Sequence, residues 1–190
     1  QDHSVYAFDV YSGEKFWSFT TGGPVDSSPV AAEGLVYIGS QDHWLHALDA
    51  YTGNERWNYQ TEGGIQSSPT VAEGVVYFGS RDHLLYALDA RTGEVLWTCR
   101  AGDAIDSSPA VADGVVYVGS HDHRLYALDA GTGEQYWDYT TGGIVDSSPI
   151  VAEGVVYFGS QDHTLYALSA QTGEKLWSYT TEGSIISSPT

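Results

Sequence analysis

The apolar positions of this chain come in short runs cut by turn residues. In the third of its repeated units "SSPTVA" (Ser67 to Ala72) is followed by Glu73-Gly74, "VVYFGS" (Val75 to Ser80) by Asp82-His83, and "LLYALDA" (Leu84 to Ala90) by Thr92-Gly93. "VLWTCR" (Val95 to Arg100) completes the set. Runs of six or seven residues rich in Val, Tyr and Phe predict strands rather than helices. Tight turns between consecutive runs predict an antiparallel four-stranded meander.

The second and third runs are apolar on both alternating faces, with Val75 and Tyr77 on one side and Val76 and Phe78 on the other. Such a sheet must be covered on both sides. The first run carries Pro29, Pro69, Pro109, Pro149 or Pro189. Proline cannot donate to a ladder, so this run is expected at an edge, next to a central channel. The fourth run holds or adjoins Glu14, Lys15, Glu94, Asp138 and Lys175, charges that suit the outer edge.

The whole pattern recurs every 40 residues without insertion or deletion, giving four full units and three quarters of a fifth in 190 residues. A period of this size is the signature of a propeller blade or solenoid coil. The reading is one all-β propeller domain of four-stranded blades. Whole blades are expected at 27–66, 67–106, 107–146 and 147–186, and a fifth, incomplete blade is shared by residues 1–26 and 187–190. Open edges on such a blade would also allow a homodimer.

The run "LYALDAxTGExxW", at Leu85 to Trp97, Leu125 to Trp137 and Leu165 to Trp177, resembles the tryptophan-docking repeat of the pyrroloquinoline-quinone-type β-propellers. The resemblance covers the whole chain. It implies that Trp17, Trp57, Trp97, Trp137 and Trp177 pack against neighbouring blades and are structural. It also implies an enzyme alternative, since quinone-dependent dehydrogenases of this fold hold their cofactor and a calcium ion near the axis with Asp, Asn and Glu, often beside a disulfide of adjacent cysteines. This chain departs from that pattern: Cys99 is its one cysteine, and Asn54 and Asn58, its only asparagines, flank the outer strand.

Charge narrows the partners. The formal net charge is −18, from 25 acidic residues against five arginines, Lys15 and Lys175. No basic surface exists to neutralise nucleic-acid phosphates, and anionic membranes are disfavoured by the same sign. So acidic a chain repels itself at low salt, which points to a halophilic setting or simply to an acidic surface. No apolar run approaches the roughly 18 residues of a membrane span, so no membrane insertion is expected. The absence of methionine, even at position 1, reads as a trimmed product or an excerpt, so targeting gives no compartment. The family resemblance alone favours an extracytoplasmic or cell-surface location. Cys99 occupies the place of Phe19, Tyr59, Tyr139 and Tyr179 and reads as core filler.

Three sets of residues could carry chemistry. The pairs Asp2-His3, Asp42-His43, Asp82-His83, Asp122-His123 and Asp162-His163 invite a metal reading, but one pair per blade at a peripheral hairpin tip cannot converge on one ion. An Asx turn with His in a left-handed position is the structural alternative. Asp9, Asp49, Asp89 and Asp129, with Ser169 in the last copy, are expected to cap the Thr-Gly turn. The remaining set is the entrance to the first strand: Asp26, Gln66, Asp106, Asp146 and Ile186, with the irregular positions Trp44, Leu84, Arg124 and Thr164 on the same face. Residues that differ among matching copies are released from the packing rule, either for recognition or through mere exposure. On the recognition reading, Asp26, Trp44, Gln66, Asp106, Arg124 and Asp146 form the candidate partner-binding face.

Near-identical repeats place like groups in rings, whereas catalysis needs unlike groups at one point. The sequence thus reads as a non-catalytic scaffold that binds an unidentified protein through its channel-mouth loops, with no cofactor and no metal site. A fragment of a quinone-dependent dehydrogenase is one alternative, and a carbohydrate or surface-adhesion module is another.

Overall fold

The computed structural model describes residues 2–189. The expected strands are present. Blade one is a two-stranded sheet of β1 (Ser4–Phe8) and β2 (Lys15–Thr20). Blade two comprises β3 (Val30–Ala32), β4 (Leu35–Gly39), β5 (Trp44–Asp49) and β6 (Glu55–Gln60). Blade three comprises β7 (Thr70–Ala72), β8 (Val75–Gly79), β9 (Leu84–Asp89) and β10 (Val95–Arg100). Blade four runs β11 (Ala110–Ala112), β12 (Val115–Gly119), β13 (Arg124–Asp129) and β14 (Gln135–Thr140). Blade five runs β15 (Ile150–Ala152), β16 (Val155–Gly159), β17 (Thr164–Ser169) and β18 (Lys175–Thr180). Each four-stranded sheet is an antiparallel meander in chain order. The outermost positions of the expected closing blade, 1 and 190, lie outside the described residues.

The turns explain themselves locally. Glu73 (φ 50°) and Gly74 (φ 77°) both adopt positive φ, the signature of a type I′ hairpin, and Glu33, Asp113 and Glu153 repeat it. His43, His83, His123 and His163 sit at φ between 70° and 76°, the left-handed position expected of the Asp-His turn. At the Thr-Gly turn, Asp89 Oδ1 accepts from the amides of Arg91 and Thr92 and from the Thr92 hydroxyl. Asp49 does the same and also binds Arg56; these bonds hold its carboxyl down at about 2.

One detail differs from the sequence reading. The first strand was expected from Ser67, yet β7 begins at Thr70, after the Ser-Ser-Pro. Proline has no N–H to give a ladder, and the serines take other work. Ser67 Oγ accepts from Gly79 N (3.0 Å) in its own blade, and Ser68 N donates to Ser108 Oγ (2.9 Å) in the next. Ser28 to Ser68, Ser108 to Ser148 and Ser148 to Ser188 repeat that second bond. The first strands β3, β7, β11 and β15 touch in succession, so they line the axis.

The core lies between blades. Tyr37, Leu45 and Ala47 of blade two pack on Val76, Phe78, Tyr86 and Leu88 of blade three, and the next two boundaries are built alike. Cys99 is partly buried in one of these clusters, and burial pushes its thiol pKa up. A bulge between Val95 and Trp97 leaves Leu96 exposed and turns the Trp97 indole toward blade four. There Trp97 Nε1 donates to Ala130 O (2.9 Å), a carbonyl that also accepts from Tyr77 Oη (3.0 Å). A Cβ on Gly133 would lie 2.6 Å from the indole, so that turn must be glycine. Trp17, Trp57 and Trp137 dock in the same manner on Ala50, Ala90 and Ala170. Trp177 is 46% exposed, against 8% for Trp97.

Candidate partner-binding face at the axial mouth

Two loops of each blade boundary meet on one face. The Thr61–Gln66 segment leads from β6 to β7, and the Ser80–His83 segment turns β8 into β9. Arg81 N donates to Gly64 O (3.1 Å), and Ile65 N, in the same loop, donates to Ser40 O of its own blade (3.0 Å). Asp82 locks the junction: Oδ2 accepts from Glu62 N (2.9 Å) and Tyr86 Oη (2.8 Å), while Oδ1 accepts from Leu84 N (3.1 Å). Asp122 and Asp162 repeat the arrangement. The repeated Asp is therefore a clamp between loops. The turn is also not peripheral, because its preceding residue reaches the axis.

That preceding position, Gln41, Arg81, His121 and Gln161, was missed by the sequence reading. Its side chains alternate with the expected strand-entrance residues in a belt around the mouth. Gln41 Nε2 donates to Asp26 Oδ2 (3.2 Å). Arg81 reaches both ways, donating to Gln66 Oε1 (2.5 Å) and through Nε and Nη2 to Asp106 (3.0–3.2 Å). Its pKa is raised chiefly by those bonds to Asp106, with burial opposing. His121 Nε2 lies 3.4 Å from Asp106 Oδ2 and 2.6 Å from Asp146 Oδ1, and Gln161 Nε2 donates to Asp146 Oδ2 (2.6 Å). The signal was available, since these four positions also differ among otherwise matching copies.

The structure thus brings together Asp26, Gln66, Asp106 and Asp146, with Ile186 beside them. It does not bring in Trp44 or Arg124. Trp44 begins β5 opposite Gln60, and Arg124 begins β13 opposite Thr140, its guanidinium paired with Asp138 on the outer strand. A larger crevice opens elsewhere, between blades four and five, lined by Trp137, Tyr136 and the turn around Ala170 to Thr172. It is the seam of a tryptophan dock. The expectation that repetition brings no unlike groups to one point is corrected at the mouth, where acid, amide, guanidinium and imidazole meet.

A quinone cofactor of the kind the resemblance implies does not fit these residues. Asn58 is held by Glu55 on the outer strand β6, and Asn54 lies in the adjoining turn, so no asparagine reaches the axis. The quinone is itself a polycarboxylate and would face Asp26, Asp106 and Asp146 at the mouth.

The family described as outer membrane protein assembly factor BamB matches residues 1–105 and again 82–189. No curated protein matches the chain. Among solved structures, BamB from Moraxella catarrhalis superposes with a TM-score of 0.83 at 23% identity, covering 98% of this chain and 61% of that one. The computationally designed Ika8 protein gives 0.89 at 17% identity, covering 98% and 59%. A quinohemoprotein alcohol dehydrogenase from Pseudomonas putida gives 0.76 at 22%, covering 86% and 35%. The chain therefore spans about three fifths of the first two, and at these identities the likeness is one of fold.

Proposed function

This chain belongs to the family of the outer membrane protein assembly factor BamB, and on that footing we propose that it is a non-catalytic propeller scaffold that binds another protein at the axial mouth. The observation that carries the reading is the belt. The docking bonds that join blade to blade repeat, whereas Gln66, Arg81, His121 and Ile186 are particular to their blades and share one opening with Asp26, Asp106 and Asp146. Rigid blades presenting variable loop residues are the usual division of labour in recognition. The net charge of −18 sets the sign of the partner: a basic patch would be steered toward this mouth. By the same family membership, the setting we propose is extracytoplasmic.

The test is capture from extracts, followed by binding of the recovered protein to variants. Arg81→Ala and Asp106→Ala are expected to lose the partner, and Glu153→Ala, in a hairpin turn at the other end of its blade, to keep it. Equal binding by all three sinks the mouth as the contact. A stoichiometric mass gain with pyrroloquinoline quinone and calcium in native mass spectrometry would replace the scaffold with a quinoprotein.

A further inference from the structure

The belt contains an anomaly between blades four and five. His121 Nε2 and Asp146 Oδ1 approach to 2.6 Å, yet both atoms are shut off from solvent and neither completes a hydrogen bond. A ring N–H so near a carboxylate oxygen ordinarily points at it. Here the close pair has no hydrogen bond along it, and a cation between the two atoms would satisfy both. Asp106 Oδ2 lies 3.4 Å from the same nitrogen, and all three atoms fall within 4.8 Å of one another. Among the described residues this is the only His, Cys, Asp and Glu group so gathered.

We propose that His121, Asp146 and Asp106 bind a divalent transition-metal cation, Zn²⁺ first among them, with water completing the shell. Bonds of about 2.0–2.2 Å to tetrahedral zinc put ligand atoms about 3.4 Å apart. His121 and Asp106 already have that spacing, and His121 and Asp146 must open by less than about 1 Å, a small side-chain rotation. A nitrogen with two carboxylates suits zinc and its neighbours rather than Ca²⁺ or Mg²⁺, which prefer oxygen alone. Charge agrees: Arg81 pairs directly with Asp106, while Asp146 takes the Gln161 amide and has the His121 ring beside it. Gln161 holds the outer oxygen of Asp146 and Arg81 Nε donates to the outer oxygen of Asp106 as Nη2 bonds Oδ2, orienting both carboxylates as supporting groups do around metals. Gln or Arg fills the His121 position in the other described blades, so the site belongs to one boundary alone. It stands independently of whether a protein docks on this face.

The experiment is calorimetric titration of Zn²⁺ alone into the metal-stripped chain. One ion per chain is expected for the wild type and for His123→Gln, whose ring sits in a turn at φ 72°. His121→Gln should weaken binding by at least about tenfold. That variant carries the residue found at Gln41 and Gln161, so its fold should survive, and circular dichroism checks it. Co²⁺ should give the visible bands of a low-symmetry tetrahedral site in the wild type and lose them in His121→Gln. Unchanged affinity in His121→Gln, no binding at millimolar Zn²⁺, or equal binding of Ca²⁺ would each overturn the proposal.

Discussion

Replacing Trp97 by alanine is the sharpest test of how this fold is held. The indole is 8% exposed, stacks on Gly133 and bonds Ala130 O. A buried tryptophan removes about 150–250 Å² from water, which at about 25 cal/mol per Å² is roughly 4–6 kcal/mol gross. Truncation leaves no stranded acceptor, because Tyr77 Oη still donates to Ala130 O at 3.0 Å. Trp97→Ala should therefore cost about 3–5 kcal/mol, the range for large-to-small core changes. Trp177→Ala makes the matched control, since that indole is 46% exposed and should cost about 1 kcal/mol or less. Trp97→Phe should recover most of the loss. Urea unfolding followed by far-UV circular dichroism reads all three. Because each blade touches only its neighbours, Trp97→Ala should also broaden the transition as blades three and four uncouple. Equal losses at Trp97 and Trp177 would refute inter-blade docking as the source of the stability.

Other outcomes follow from the same contacts. Asp122→Ala strands three donors, Gly102 N, Arg124 N and Tyr126 Oη, and should cost about 2–3 kcal/mol in the same assay. His123→Gly relieves a side chain held at φ 72° and should stabilise by up to about 1 kcal/mol. Burial raises the pKa of Tyr37 to about 12, and raises Tyr77 and Tyr117 as well. The folded values exceed the unfolded one near 10, so the stability these tyrosines add is full below about pH 10 and lost as the pH rises toward 12. Tyrosinate absorbance from these groups should appear together with loss of the dichroism signal; native dichroism after they ionise would contradict this. With a net charge of −18, the melting temperature should rise from low to molar salt, and no gain would remove the halophilic reading.

Much of this architecture was legible in the sequence because a strict repeat multiplies weak local signals. Glu73-Gly74, Asp82-His83 and Thr92-Gly93 each mark a turn by simple chemistry, and each recurs at the same offset. The start of β7 was misjudged because Ser67 and Ser68 look like strand residues until their hydroxyls are seen bonding Gly79 N and the preceding blade's amide. Asp26, Gln66, Asp106 and Asp146 were found through their variation among copies. Arg81 and His121 carry the same signal but stand beside the repeated Asp-His pair, whose turn chemistry masks their own variation. Trp44 and Arg124 vary for another reason: their position is half-buried on the sheet, where Arg124 finds Asp138.

The repeated docking ties between neighbouring blades span fixed stretches of chain: 33 residues from tryptophan to alanine carbonyl, 53 from tyrosine to that same carbonyl, and 40 from serine to serine. A duplicated unit spliced in frame therefore arrives with both halves of each new junction, and its neighbours need no compensating change. The fold behaves as a tape that lengthens by copying. What copying cannot produce is difference, so the features that set one boundary apart from the next reside in single side chains such as Arg81 and His121.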